Sequence, residues 1–114
     1  MGDRSNIVIQ FADDDDQKEI VFYTHWGGSD LPATLQAALL KAKNTGRLDD
    51  DAYLARIIFC TMVSDDPDGS TGYGIAPWIS EEEHETIYVD TEVHTVTIGD
   101  LTWSYEDYIN QHFQ

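Results

Sequence analysis

Residues 19–43, EIVFYTHWGGSDLPATLQAALLKAK, change their hydrophobic period once, at a pair of glycines. Before the pair, Ile20, Phe22 and Thr24 alternate with Val21, Tyr23 and His25, the period of two that sends successive side chains to opposite faces of a strand. After it, Leu31, Leu35, Ala38, Leu39 and Ala42 recur at helical spacing and make one apolar face. Ser29 or Asp30 is placed to cap that helix, with Pro32 near its first turn. Lys41 and Lys43 sit where the helix dipole favours cations, and Asn44-Thr45-Gly46 ends the run. A strand that hands over directly to a helix is the unit from which the rest is built.

Upstream, Asn6 to Phe11 puts Ile7, Ile9 and Phe11 on one face, and Asp13 to Asp16 supplies a polar turn. The two strands are expected to form a hairpin. Downstream, three acids, Asp49 to Asp51, precede a second helix through Ala52 to Val63. Leu54, Ile58 and Met62 share one side of it, and Tyr53, Ile57, Phe59 and Cys60 cover most of the rest, which predicts the most buried helix of the fold. Ser64 to Gly72 reads as a loop from its Asp-Pro and Asp-Gly dipeptides. Tyr73 to Ile79, Thr86 to Thr91 and Val93 to Ile98 read as strands, the last two as a hairpin. Leu101 to Trp103 is left open between a strand extension and irregular packing. Ser104, with Asp107 three residues on, caps a last helix that buries Tyr105, Tyr108, Ile109, His112 and Phe113.

The order ββααβββα predicts an α+β fold, a single domain over residues 1–114 with a mainly antiparallel sheet of about five strands and about three helices packed on one face. At 41% apolar residues the chain can bury a real core. No run approaches the roughly 18 apolar residues of a membrane span, and Met1-Gly2-Asp3-Arg4 does not open a signal segment, so a cytoplasmic location without membrane partners is expected. Cys60, the only cysteine, lies in the run Ile57-Ile58-Phe59-Cys60 and reads as a buried structural thiol.

Charge is the other strong signal. Twenty-two acidic residues against six basic ones give a formal charge of -16, with acids spread along the whole length. Such a surface repels itself in dilute buffer and is relieved by salt. The excess of acids over lysines and the frequent Thr resemble the composition of halophilic archaeal proteins. A second reading is mimicry of DNA, an acidic decoy that captures a nucleic-acid-binding protein, but the acids fall in turns rather than along one long helix. Direct nucleic-acid binding is not expected, for want of a basic stripe.

The sharpest local chemistry lies at the strand-to-helix junction. Gly27 and Gly28 let a ligand or another backbone approach, the following helix start offers N–H donors, and His25 and Trp26 offer a proton-transfer group and a stacking surface. The structural alternative has Trp26 filling the gap between sheet and helix and His25 bonded to a backbone carbonyl. Arg56 is the one charged side chain in the middle of the second helix, so it needs either an ion-pair partner or an anionic ligand beside His25. Tyr73, between Gly72 and Gly74, is the sixth candidate, with a β-bulge as its duller account.

The segments His25-Trp26-Gly27-Gly28-Ser29-Asp30-Leu31-Pro32, Tyr53 to Phe59 and Gly72-Tyr73-Gly74-Ile75 resemble a pattern of small uncharacterised proteins of prokaryotes and their viruses. The resemblance spans about the middle half of the chain. It implies no activity, but it does imply that the three segments meet in space.

No cofactor is expected: the glycine pair lacks the third glycine of a dinucleotide fingerprint, and no Gly-Lys-Ser/Thr is present. No metal is expected either. Ser64 to Gly69 resembles the start of a calcium loop, but Ile75 stands where the bidentate Glu belongs, and His84 with His94 would need a favourable strand register. No catalytic residues are assigned, since Ser29 lies outside any nucleophile elbow and His25 with Asp30 completes no triad. The leading expectation is a small, salt-adapted, noncatalytic module that binds an unidentified protein or small ligand through His25, Trp26, Gly27, Gly28, Arg56 and Tyr73. An acidic decoy comes second and a small hydrolase third. Oligomeric state and strand order are left open.

Overall fold

The computed structural model describes residues 3–11, 18–79 and 82–112. Strands β1 (Ser5–Phe11) and β2 (Lys18–Thr24) pair antiparallel, with Ile7 opposite Phe22 and Ile9 opposite Ile20. A 3-10 turn at Gly28–Asp30 leads into α1 (Leu31–Asn44), and α2 (Asp51–Met62) follows. Then come β3 (Tyr73–Ala76), β4 (Ile87–Asp90), β5 (Thr95–Ile98), β6 (Leu101–Ser104) and the short α3 (Tyr105–Ile109).

The six strands form one sheet in the order β3-β2-β1-β4-β5-β6. Every pairing is antiparallel except β1 with β4 at the centre, where Ile7 sits opposite Ile87 and Ile9 opposite Val89. The fold is thus α+β with a mainly antiparallel sheet, and Leu101–Ser104 supplies the sixth strand where about five were expected.

Period-two patterning puts Ile7, Ile9, Phe22, Ile87, Val89 and Val96 on the sheet face that the helices cover. From above, α1 buries Leu31, Leu35, Ala38, Leu39 and Ala42, the five residues that its apolar spacing marks. Each large aliphatic side chain so buried contributes roughly 1.5–3 kcal/mol. Ser104 caps α3 as expected, its hydroxyl accepting from the Asp107 N–H at 3.1 Å. The Tyr108 hydroxyl then donates to the Pro32 carbonyl at 2.7 Å, tying α3 to the start of α1. Burial pushes the Tyr105 and Tyr108 phenols well above the ordinary tyrosine range. His112 falls beyond α3 and is exposed, so it is not part of the buried face; Phe113 and the expected turn at Asp13 to Asp16 lie outside the described residues.

The second helix departs most from expectation. It buries Leu54, Ala55, Ile58 and Met62 on one side only, while Tyr53, Arg56 and Cys60 are exposed. α2 packs beside α1 over one edge of the core instead of through its middle, so apolar residues on its outer side stay uncovered. Cys60 is therefore a surface thiol, and Arg56 stands on a solvated face with no buried charge to compensate.

Candidate functional site

The junction after β2 is held by the segment that precedes β1. The Asp3 N–H donates to the His25 carbonyl at 2.7 Å, and the Gly28 N–H donates to the Asp3 carbonyl at 2.7 Å. A methyl group at Gly28 would stand 2.7 Å from that Asp3 oxygen and 2.7 Å from His84 Cδ2. Gly28 is a glycine because the chain's own backbone passes over it, one of the two possibilities open in the sequence.

The Asp3 carboxylate organises this crossing. Its Oδ2 accepts from the Ser29 hydroxyl at 2.7 Å and the Ser29 N–H at 3.0 Å, and its Oδ1 accepts from His84 Nε2. The bonds from Ser29, then that from His84, hold the carboxyl down at about 2. Serine, aspartate and histidine meet here in the wrong sequence for nucleophilic chemistry. The carboxylate lies in the middle, so the hydroxyl proton is directed to Asp3 rather than to an imidazole base.

On the other side of the junction, the His25 N–H donates to the Gly72 carbonyl at 2.8 Å and Thr24 pairs with Tyr73 in the β2–β3 ladder. The His25 ring takes its bond from a side chain, the Tyr23 hydroxyl 2.9 Å from Nδ1, and not from a backbone carbonyl. Trp26 does not fill the gap between sheet and helix. It is 60% exposed, edge-on to His25 at 4.8 Å between ring centroids, and it lies across Gly72 so closely that a methyl group there would come within 2.6 Å of its ring. Gly72 also holds φ at +95°, so two requirements fix this glycine.

Beside the junction a groove of about 430 Å³ opens between the start of α1 and the end of α2. Gly27, Thr24 and Tyr73 form its sheet-side wall, Leu31 and Met62 contribute its apolar lining, and Asp30 and Asp65 bring a carboxylate from either helix end. Asp30 occupies the N-cap position of α1, yet its side chain caps nothing, because the 3-10 turn gives it helical dihedrals and the preceding Ser29 is spent on Asp3. Its carboxylate takes no bond from the first turn of α1, and Asp30 lines the groove. The sequence signal for this site was Asp30 itself, masked by its resemblance to an ordinary cap.

The six sequence candidates therefore separate. Gly27 and Tyr73 line the groove, with Trp26 preceding Gly27 in the chain and His25 following Thr24, another lining residue. Gly28 is enclosed by the chain's own N-terminal segment. Arg56 lies elsewhere, in a different cleft with Lys41 and Arg47. The two histidines considered for a metal also part company, His84 to Asp3 and His94 to Asp49 at 3.5 Å with its ring stacked on Tyr105. Among the described residues no three His, Cys, Asp or Glu side chains converge on a position for a cation, and no helix among them is long and apolar enough to cross a membrane.

No family model, curated protein or solved structure matches the chain.

Proposed function

We propose that this protein is a small, salt-adapted binding module without catalytic chemistry, and that the groove beside the His25–Gly28 junction receives a cationic group, the guanidinium or ammonium of a small ligand or of a partner's side chain. The observation that carries this reading is that two acidic residues, Asp30 and Asp65, line one groove whose other polar lining residues, Thr24, Thr34, Thr61, Ser64 and Tyr73, all bear hydroxyls and no positive charge. A cation entering there meets acceptors, a phenol ring suited to cation–π contact and an apolar lining for its methylene stem. The surrounding charge of -16 adds a long-range attraction of the same sign. Trp26, exposed beside Gly27, offers an aromatic shelf at the edge.

The decoy reading is less well supported. It needs one continuous negative face, whereas Lys41, Lys43, Arg47 and Arg56, four of the six basic residues, collect on and between the two large helices. Thermal shift with agmatine, a compact dication, tests the groove. At constant ionic strength agmatine is expected to raise the melting temperature of the wild type but not of the Asp30→Asn/Asp65→Asn double variant. Equal stabilisation of both proteins would dismiss the groove as the site.

A further inference from the structure

Arg56 lies in a second cleft whose chemistry is the reverse of the first. Its volume is about 310 Å³, and it is lined by Lys41 and Thr45 from the end of α1, Arg47 from the connection, and Tyr53, Arg56, Ile57 and Cys60 from α2. The α2 residues recur at i, i+3, i+4 and i+7, one stripe along the helix, and Lys41 lies in the last turn of α1 with Thr45 at its C-cap. Half of all the Lys and Arg residues of the chain line this one cleft, and among the described residues no acid does.

The cations are unequally engaged. Arg47 is positioned with its guanidinium carbon 4.9 Å above the Tyr53 ring, and it reaches Asp50 at 3.7 Å. Asp50 is itself occupied as the cap of α2, accepting from the Tyr53 N–H. Lys43, outside the cleft, is neutralised by Glu106 at 2.9 Å. Lys41 and Arg56 have no carboxylate within ion-pair distance among the described residues. In a chain with acids to spare, two cations with no carboxylate partner among the described residues and a third held over an aromatic ring form an arrangement that stability does not require.

We propose that this cleft binds the phosphate group of a small phosphate ester. Arg56 and Arg47 present planar donor forks, Lys41 adds a point charge, and the Tyr53 ring with Ile57 and Cys60 forms a wall for the group that the ester carries. The cleft is too small to follow a polyanion, and the acidic surface beyond it repels one, so the ligand is a small molecule rather than a nucleic acid.

The test uses phenyl phosphate on the full-length protein labelled with nitrogen-15, titrated at constant ionic strength in potassium chloride. Saturable shifts are expected at the amides of Lys41, Thr45, Arg47, Arg56 and Cys60, with inorganic phosphate binding the same residues more weakly. Arg56→Gln and Lys41→Gln are each expected to weaken phenyl phosphate at least about tenfold, the loss of one charge-assisted hydrogen bond. Both side chains are exposed, so urea midpoints serve to confirm that the variants fold as the wild type does. Shifts that do not saturate, that chloride alone reproduces, or that persist with wild-type affinity in both variants would overturn the proposal. Inorganic phosphate binding as tightly as phenyl phosphate would overturn the role of the Tyr53 wall.

Discussion

Gly28 and Gly27 are neighbours in sequence, but the structure gives them different tolerances for a methyl group. At Gly28 the new carbon would meet the Asp3 carbonyl oxygen at 2.7 Å and the carbonyl carbon of Arg4 at 3.1 Å, both backbone atoms that cannot rotate away. The His84 ring stands equally close on the other side. Relief requires the segment before β1 to lift, which stretches the Gly28-to-Asp3 and Asp3-to-His25 bonds together. Overpacking of this kind costs about 1–3 kcal/mol, and each of the two backbone bonds adds about 0.5–1.5 kcal/mol if it is lost. Gly28→Ala is therefore expected to destabilise the fold by about 2–6 kcal/mol. At Gly27 the nearest atom is the Thr24 hydroxyl at 3.1 Å, the end of a side chain, and the cost is expected to stay below about 1 kcal/mol. Urea unfolding followed by circular dichroism measures both, provided the slope with denaturant is unchanged. Equal costs for the two variants, or a harmless Gly28→Ala, would refute the claim that the junction is closed over by the chain's own N-terminal segment.

Two further outcomes follow from charge. The Asp3 carboxyl is depressed from 3.8 to about 2 in the folded state, so the stability it contributes is complete above about pH 4 and is lost as pH falls toward 2. Carbon-13 NMR of the Asp3 carboxyl should show that low midpoint in wild type and a midpoint raised part of the way toward 3.8 when Ser29→Ala removes the hydroxyl donor and leaves the backbone and His84 bonds; an ordinary midpoint in wild type would contradict the network. Raising potassium chloride from about 0.1 to about 1 M shortens the screening length from about 10 to about 3 Å and is expected to raise the urea midpoint, whereas a flat or falling midpoint would remove the salt-adapted reading.

What was legible in the sequence was whatever a local period writes down. The buried face of α1 and the alternation of Ile7, Ile9, Ile20 and Phe22 follow from spacing alone, and Ser104 caps α3 because a cap needs only its own turn. The parallel pairing of β1 with β4 was not legible, since it joins strands some 80 residues apart and no turn chemistry records it. α2 misled because it is apolar nearly all round, so composition could not say which side met the core. Arg56 carried the missing information: Tyr53 and Cys60 lie on its stripe, and a solvated arginine marks that stripe as outward. The groove was hidden by a different coincidence, an aspartate at a cap position that does not cap.

The first cleft bears the central claim, and chemical-shift mapping with agmatine tests it most directly. The account predicts saturable shifts at Thr24, Gly27, Asp30, Thr61, Asp65 and Tyr73, with the indole N–H of Trp26 moving alongside and both Asp30→Asn and Asp65→Asn weakening the response. Shifts scattered over the acidic surface, unchanged in those variants, would show a cation attracted by net charge alone and would contradict a site in the groove.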